Sequence, residues 1–227
     1  MTKERYALIE QYMLASMSDS AHDREHVYRV LWNALEIARE EPDVDYDVLL
    51  AACLLHDIGR QEQFADPSLC HALVGADKAY RFLTEQGFGE AFAESVRSCI
   101  RTHRFRRERQ PESLEGKILF DADKLDCIGA LGIARTLMYK GNTAEPIYTV
   151  LPDGTISDGT GDTAPSFFRE YRFKLEKLYD RFYTCRGGEL ARGRQKIAAA
   201  FYESLYGEVN LGRADGKQRL ETLLGKE

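Results

Sequence analysis

Eight consecutive apolar residues, Val48 to Leu55, run without interruption into His56 and Asp57. The run is far short of the ~20 residues that cross a bilayer. It reads instead as a helix apolar on nearly every side, which has to be buried by other helices. Those helices are legible. From Asp23 to about Glu40 apolar residues recur at Val27, Val30, Leu31, Ala34, Leu35 and Ala38 in a three-four rhythm, with Pro42 beyond the end. Leu69 to Gln86 predicts another helix closed by Gly87. Ala91 to His103 carries Phe92, Val96, Cys99 and Ile100 on one stripe, and a long helix is predicted from Leu114 through Met138. Gly59, two residues past Asp57, is expected as a left-handed terminator. Helical spacing returns at Phe168, Tyr171, Leu175, Leu178 and Phe182, and again at Ile197, Ala198, Phe201 and Leu205.

Gly141 to Pro165 breaks the pattern. Its Gly, Thr, Asp and Pro content, with Leu151-Pro152-Asp153-Gly154-Thr155 at the centre, predicts a hairpin or flap between short extended pieces. The segment after Gly207 is polar and is expected to be only partly ordered. The expected architecture is all-α: one domain over residues 1–227, with a helical core at about 20–140, a flap at about 141–165 and C-terminal helices at about 166–207.

Composition narrows the function. The chain has 227 residues, 44% hydrophobic and 30% charged, which excludes a disordered or collagen-like polymer. Its N-terminus mixes charges of both signs among apolar residues, unlike a secretory signal. A net charge of −6 argues against a broad surface for nucleic-acid polymers and leaves room for a small phosphate ligand in a local basic pocket. Five scattered cysteines with no C-x-x-C pair suit reduced thiols and offer no sulfur-based zinc site. The expectation is a cytoplasmic protein with no membrane partner; the oligomeric state is open, a homodimer included.

All five histidines lie within the first 103 residues, and carboxylates accompany several of them inside apolar helices. Burying such a charge is costly unless it is paired or bound to a cation. Asp57 closes the most apolar helix, and Asp123 follows Leu119 by one turn among Ile118, Ala122 and Leu125. Packing of three such helices would bring His26, His56, Asp57 and Asp123 to one point. Two imidazoles and two carboxylates suit a borderline or hard divalent ion, Mn²⁺ or Mg²⁺ first, with Co²⁺, Ni²⁺, Fe²⁺ or Zn²⁺ also compatible. Plainer structural roles compete with this. A histidine on an apolar helix face is commonly a hydrogen-bonded core residue, and a His-Asp pair at a helix end can be a C-terminal cap followed by a surface carboxylate. His22 and His26, four apart, share a face as in a zinc metallopeptidase helix. However, Asp23 stands where that chemistry needs Glu, and no third ligand follows at a short distance.

The ordered set H-V-Y-R-V (His26), A-A-C-L-L-H-D-I-G-R (His56, Asp57) and D-A-D-K-L-D (Asp123) resembles the HD-domain superfamily of metal-dependent phosphohydrolases. The phrases S-A-H-D-R-E-H, C-H-A-L-V-G-A, I-R-T-H-R-F and G-K-I-L-F-D-A-D-K-L-D-C-I-G-A-L-G-I-A-R are similar to a bacterial subfamily of small stand-alone HD hydrolases. The resemblance covers residues 20 to 140 closely and the C-terminal helices more loosely. It implies an HD helical bundle with His26, His56, Asp57 and Asp123 as metal ligands, Asp123 being preferred to Asp121 and Asp126 because it matches the superfamily's A-D position. It further implies hydrolysis by metal-activated water of a phosphate ester or phosphoanhydride, first of all a (deoxy)nucleoside triphosphate cut between its α and β phosphates.

In-line attack at phosphorus needs cations around the phosphate oxygens. Lys124 is the first candidate, and Arg104 stands out of the cluster Arg101, Arg104, Arg106, Arg107 and Arg109 as a polyphosphate clamp. His71 and His103 are candidates to donate protons or hydrogen bonds to the leaving group, or to bind a second metal. The short interval from Asp57 to His71 favours one metal with both histidines lining the pocket. His22 is expected to bind substrate in the pocket or to stand directly behind the ligands, and Arg29 either contacts substrate or braces its helix through a carboxylate. Two rivals remain: a dinuclear iron HD-type oxygenase and a non-catalytic nucleotide-sensing module.

Overall fold

A computed structural model describes residues 1–17, 24–104 and 109–225. It divides the chain into two compact units, Met1–Asp126 with Phe182–Glu189, and Cys127–Arg181 with Leu190–Glu227. The first unit contains α1 (Lys3–Ser16), α2 (Arg24–Ala38), α3 (Tyr46–Leu55), α4 (Arg60–Ala65), α5 (His71–Glu85), α6 (Glu90–Thr102) and α7 (Leu114–Asp126). The apolar helix α3 is its centre, packed against α1, α2, α5, α6 and α7. Asp45 starts it by accepting hydrogen bonds from the Asp47 and Val48 amides at 3.0 and 3.1 Å. Leu49, Leu54 and Leu55 are fully buried, each contributing about 1.5–3 kcal/mol by leaving water. Helix α2 turns its Val27, Val30, Leu31 and Ala34 stripe inward as its spacing predicts.

In the second unit lie α8 (Gly129–Asn142), α9 (Phe167–Phe173), a 3₁₀ turn (Leu175–Lys177), most of α10 (Cys185–Leu211) and α11 (Arg213–Leu224). Its core is aromatic: Tyr171 stacks on Tyr202 at 4.2 Å and Phe168 meets Tyr202 edge-on at 5.2 Å. The expected flap is a hairpin reduced to one antiparallel bridge, Val150 to Ile156, closed by Gly154 N donating to the Leu151 carbonyl at 2.8 Å. Asp162 holds it by accepting from Thr149 Oγ1 and Ser157 Oγ. Among the described residues the architecture is all-α, with no regular strand and no helix long and apolar enough to cross a membrane.

Four local expectations are corrected. The long helix over 114–138 is two helices, because Ile128 is extended and Gly129 sits at φ 69°, a conformation that costs other residues about 1–2 kcal/mol. Apolar residues continue across that break, so periodicity alone cannot reveal it. Gly59 is not left-handed; at φ −94° it is the N-cap of α4, and space is what demands a glycine there. The helix expected to reach Phe182 ends at Phe173 and continues as the 3₁₀ turn. The polar stretch after Gly207 is helical through Leu224, and the N-terminal helix α1 was not foreseen.

Candidate metal centre

Helix ends build the site. His26 lies in the first turn of α2, His56 is the C-cap of α3 with Asp57 directly after it, His71 opens α5, His103 is the C-cap of α6 and Asp123 lies in the last turn of α7. The last carbonyls of a helix lack partners within it. His56 Nδ1 donates to the Cys53 carbonyl and His103 Nδ1 to the Ile100 carbonyl, both at 2.7 Å. Because a carbonyl only accepts, each Nδ1 must carry the proton, and each Nε2 is left with a lone pair. The capping role set against the metal reading therefore holds for His56, but Asp57 is buried rather than on the surface. His26 Nδ1 donates to Asp126 Oδ2 at 2.7 Å, and His71 Nδ1 to Gln63 Oε1 at 2.6 Å.

All four Nε2 atoms thus face Asp57. Its Oδ2 lies 3.5 Å from His26 Nε2 and 3.7 Å from His56 Nε2; its Oδ1 lies 3.4 Å from His71 Nε2 and 3.7 Å from His103 Nε2. His26 Nε2 is also 3.5 Å from Asp123 Oδ1 and 3.4 Å from His56 Nε2. Two trios result, His26–His56–Asp123 and Asp57–His71–His103, each compact enough for one ion. Both Asp57 oxygens and His71 Nε2 are buried with no hydrogen-bond partner. Donors about 2.1 Å from a shared cation sit about 3.0–3.4 Å from one another, close to the separations here. Lone pairs crowded on a buried carboxylate repel unless positive charge lies among them; Arg60 Nε, 3.0 Å from Asp57 Oδ1, reaches one oxygen, and the donor set as a whole fits a divalent ion.

The electrostatics agree. Burial works against ionised Asp57, yet His56, Arg60 and His26 hold its carboxyl well below the usual carboxylate range. Asp123 behaves likewise: burial opposes its charge, and Lys124 followed by His26 overrides it. For His26 burial disfavours the proton, but the Asp126 hydrogen bond together with Asp57 and Asp123 raises its pKa to about 9. Burial, with Arg60 and Arg104 nearby, pushes His71 down to about 2; burial and His56 push His103 down to about 4. At neutral pH both are lone-pair acceptors, with Nδ1–H already committed.

Three aspartates on α7 do three jobs. Asp123 faces the histidines. Asp126, one turn on, accepts from His26 Nδ1 and from Arg29 Nε and Nη2 at 2.7 and 3.2 Å, so Arg29 braces through a carboxylate, one of its two expected roles. Asp121 turns away and accepts from the Tyr183 and Thr184 amides and from Thr184 Oγ1 at 2.7–3.1 Å. Burial raises its pKa above the carboxylate value despite those donors. Asp121→Ala strands three donors and is expected to cost about 2–4 kcal/mol. A denaturant midpoint equal to wild type would contradict that.

Lys124 Nζ lies 3.6 Å from Asp123 Oδ2 and 5.0 Å over the Phe120 ring. Arg104 Nη1 points to Cys70 Sγ at 3.7 Å, and Arg101 is exposed. His22, Arg106 and Arg107 lie outside the described residues. Sequence reasoning did not single out Arg60, whose Nε is 3.0 Å from Asp57 Oδ1, or Gln63. The signal for Arg60 was its place three residues beyond Asp57; Gln63 carried none.

Comparison with known proteins places these residues in a family context. The HD domain model matches residues 24–128. YpgQ of Bacillus subtilis, an uncharacterized protein, is 31% identical over 195 residues, 84% of this chain and 85% of that one. The crystal structure of B. subtilis YpgQ in complex with ADP superposes with a TM-score of 0.69 at 27% identity, covering 90% of this chain and 97% of that chain. An HD-superfamily hydrolase from Bacillus thuringiensis gives a TM-score of 0.69, also at 27% identity, over 91% and 97%.

Proposed function

This chain belongs to the HD-domain family, and from that premise we propose that it is a divalent-metal-dependent phosphohydrolase that cuts a (deoxy)nucleoside triphosphate between its α and β phosphates. The observation that carries the reading is the turning of four imidazole Nε2 atoms onto the buried Asp57 carboxylate, neither oxygen of which has a hydrogen-bond partner. His26, His56, Asp57 and Asp123 would hold the ion. A bound divalent ion supplies a lowered pKa to water and neutralises charge on a phosphoryl oxygen. Lys124 and Arg60, both beside the ligand carboxylates, offer positive charge to the remaining phosphate oxygens. Asp126 keeps His26 oriented and Arg29 keeps Asp126 oriented, an outer layer typical of such centres. The ADP complex of YpgQ supports a nucleotide as the ligand class.

A panel of nucleoside triphosphates with Mn²⁺ or Mg²⁺ is expected to give nucleoside monophosphate and pyrophosphate, separated by chromatography. Orthophosphate with nucleoside diphosphate would overturn the assigned bond. Binding without release under any divalent ion would restore the nucleotide-sensing alternative. The second trio, Asp57–His71–His103, favours a second reading in which two ions share Asp57. Two irons per chain on metal analysis would select the oxygenase class.

Proton competition gives a separate check. With the His26 pKa near 9, cation uptake at pH 7.5 displaces a proton. Affinity therefore falls as pH falls, by about tenfold per unit below 9. Calorimetric Mn²⁺ titrations in buffers of different ionisation enthalpy should report about one proton released per ion. Buffer-independent heats would contradict this.

A further inference from the structure

We propose that Gln63 is a positioning residue that locks His71 in the tautomer presenting its Nε2 lone pair to Asp57; the proposal rests on the hydrolase reading of this centre. Gln63 stands on α4, between the His56–Asp57 corner and the start of α5. Its Nε2 donates to the Leu69 carbonyl at 2.9 Å, and its Oε1 accepts from His71 Nδ1 at 2.6 Å. A carbonyl cannot donate, so the Leu69 bond fixes which end of the amide faces His71. The oxygen faces it, Nδ1 must hold the proton, and Nε2 is left bare, buried and without a hydrogen-bond partner, 3.4 Å from Asp57 Oδ1.

The other three histidines are oriented by groups of a different kind. His56 and His103 use carbonyls of their own helices, and His26 uses a carboxylate. A backbone carbonyl is built into the fold, and a carboxylate also adds charge. Gln63 is a neutral side chain on a separate short helix, so one substitution removes the partner of His71 without disturbing its own helix or the charge of the cluster.

The test uses the full chain labelled with ¹⁵N-histidine in Mg²⁺, read by long-range ¹H–¹⁵N correlation, together with Mn²⁺ titration. Gln63→Leu is expected to convert the His71 signal from the Nδ1–H tautomer to a mixture. In the two-ion reading it should also weaken Mn²⁺ binding at the Asp57–His71–His103 trio by about 10–100-fold. Gln63→Glu keeps an acceptor for Nδ1–H and should retain the wild-type tautomer. His71→Ala serves as the reference. If Gln63→Leu matches wild type in tautomer and affinity while His71→Ala weakens binding, the positioning role is overturned and the hydrolase reading survives. If His71→Ala and Asp57→Ala both retain full turnover, the hydrolase reading fails and takes the proposal with it.

Discussion

Asp57→Ala is expected to emerge from desalting without a divalent ion and to lose more than about a hundredfold of turnover, beyond the 10–100-fold typical of outer-layer partners. The reason is its place between the two trios. Oδ2 faces His26 and His56, while Oδ1 faces His71, His103 and Arg60. Among the described residues Asp123 and Asp126 meet His26 alone of the four imidazoles within ion-pair distance, so neither can replace it. The fold should persist, because Asp57 makes no aligned hydrogen bond that the core relies on. The positive groups that lose this anion have other recourse: the Arg60 side chain is about a quarter exposed to water, and His26 keeps Asp126 and Asp123. Metal analysis, circular dichroism and turnover on one preparation decide the matter. An active, cation-loaded variant would falsify the ligand assignment; an unfolded one would show that Asp57 is structural.

Gly59→Ala is the second large effect, and it acts on the backbone. A Cβ at this position would sit 2.3 Å from the His71 carbonyl oxygen and 2.6 Å from the Gly75 amide nitrogen. Neither is the movable end of a side chain, so α5 must shift away from the His56–Asp57 corner. Overpacking against rigid atoms costs about 3 kcal/mol or more, a melting-temperature fall of roughly 6–12 °C in a chain of this size. Because His71 opens α5, the shift should also pull its ring from Asp57 and weaken divalent-ion binding. Gly141→Ala, in a helix with nothing within 4 Å of the added carbon, is the control expected to melt as wild type. A Gly59→Ala protein melting with the control would show that α5 yields without cost.

The helices of the first unit were legible because amphipathic spacing reports which face is buried, and α2, α5 and α6 each carry that spacing clearly. The Gly129 break was hidden because Cys127 and Ile128 carry the apolar pattern across it. The polar α11 was hidden for the opposite reason: its sequence has no apolar rhythm strong enough to announce a helix. Among the candidate ligands, the order His26, His56–Asp57, Asp123 was readable as a motif. The separation of Asp121, Asp123 and Asp126 into an anchor, a candidate ligand and a histidine brace was not. Those roles depend on which direction each side chain leaves α7 and what waits there.

By itself, the order of residues determined an all-helical chain, an apolar central helix ending in His-Asp, and a family pattern with a short set of candidate ligands. Local periodicity and motif spacing suffice for that, since they express backbone geometry within a few turns. Only the tertiary structure decided that Asp57 stands between four histidines, that each Nδ1 is committed elsewhere, and that Gln63, Arg60 and Asp126 contact these groups. Such contacts join residues as far apart as His26 and Asp126, 100 positions along the chain. Hydrogen-bond direction and burial act across space, and no spacing rule along a sequence encodes them.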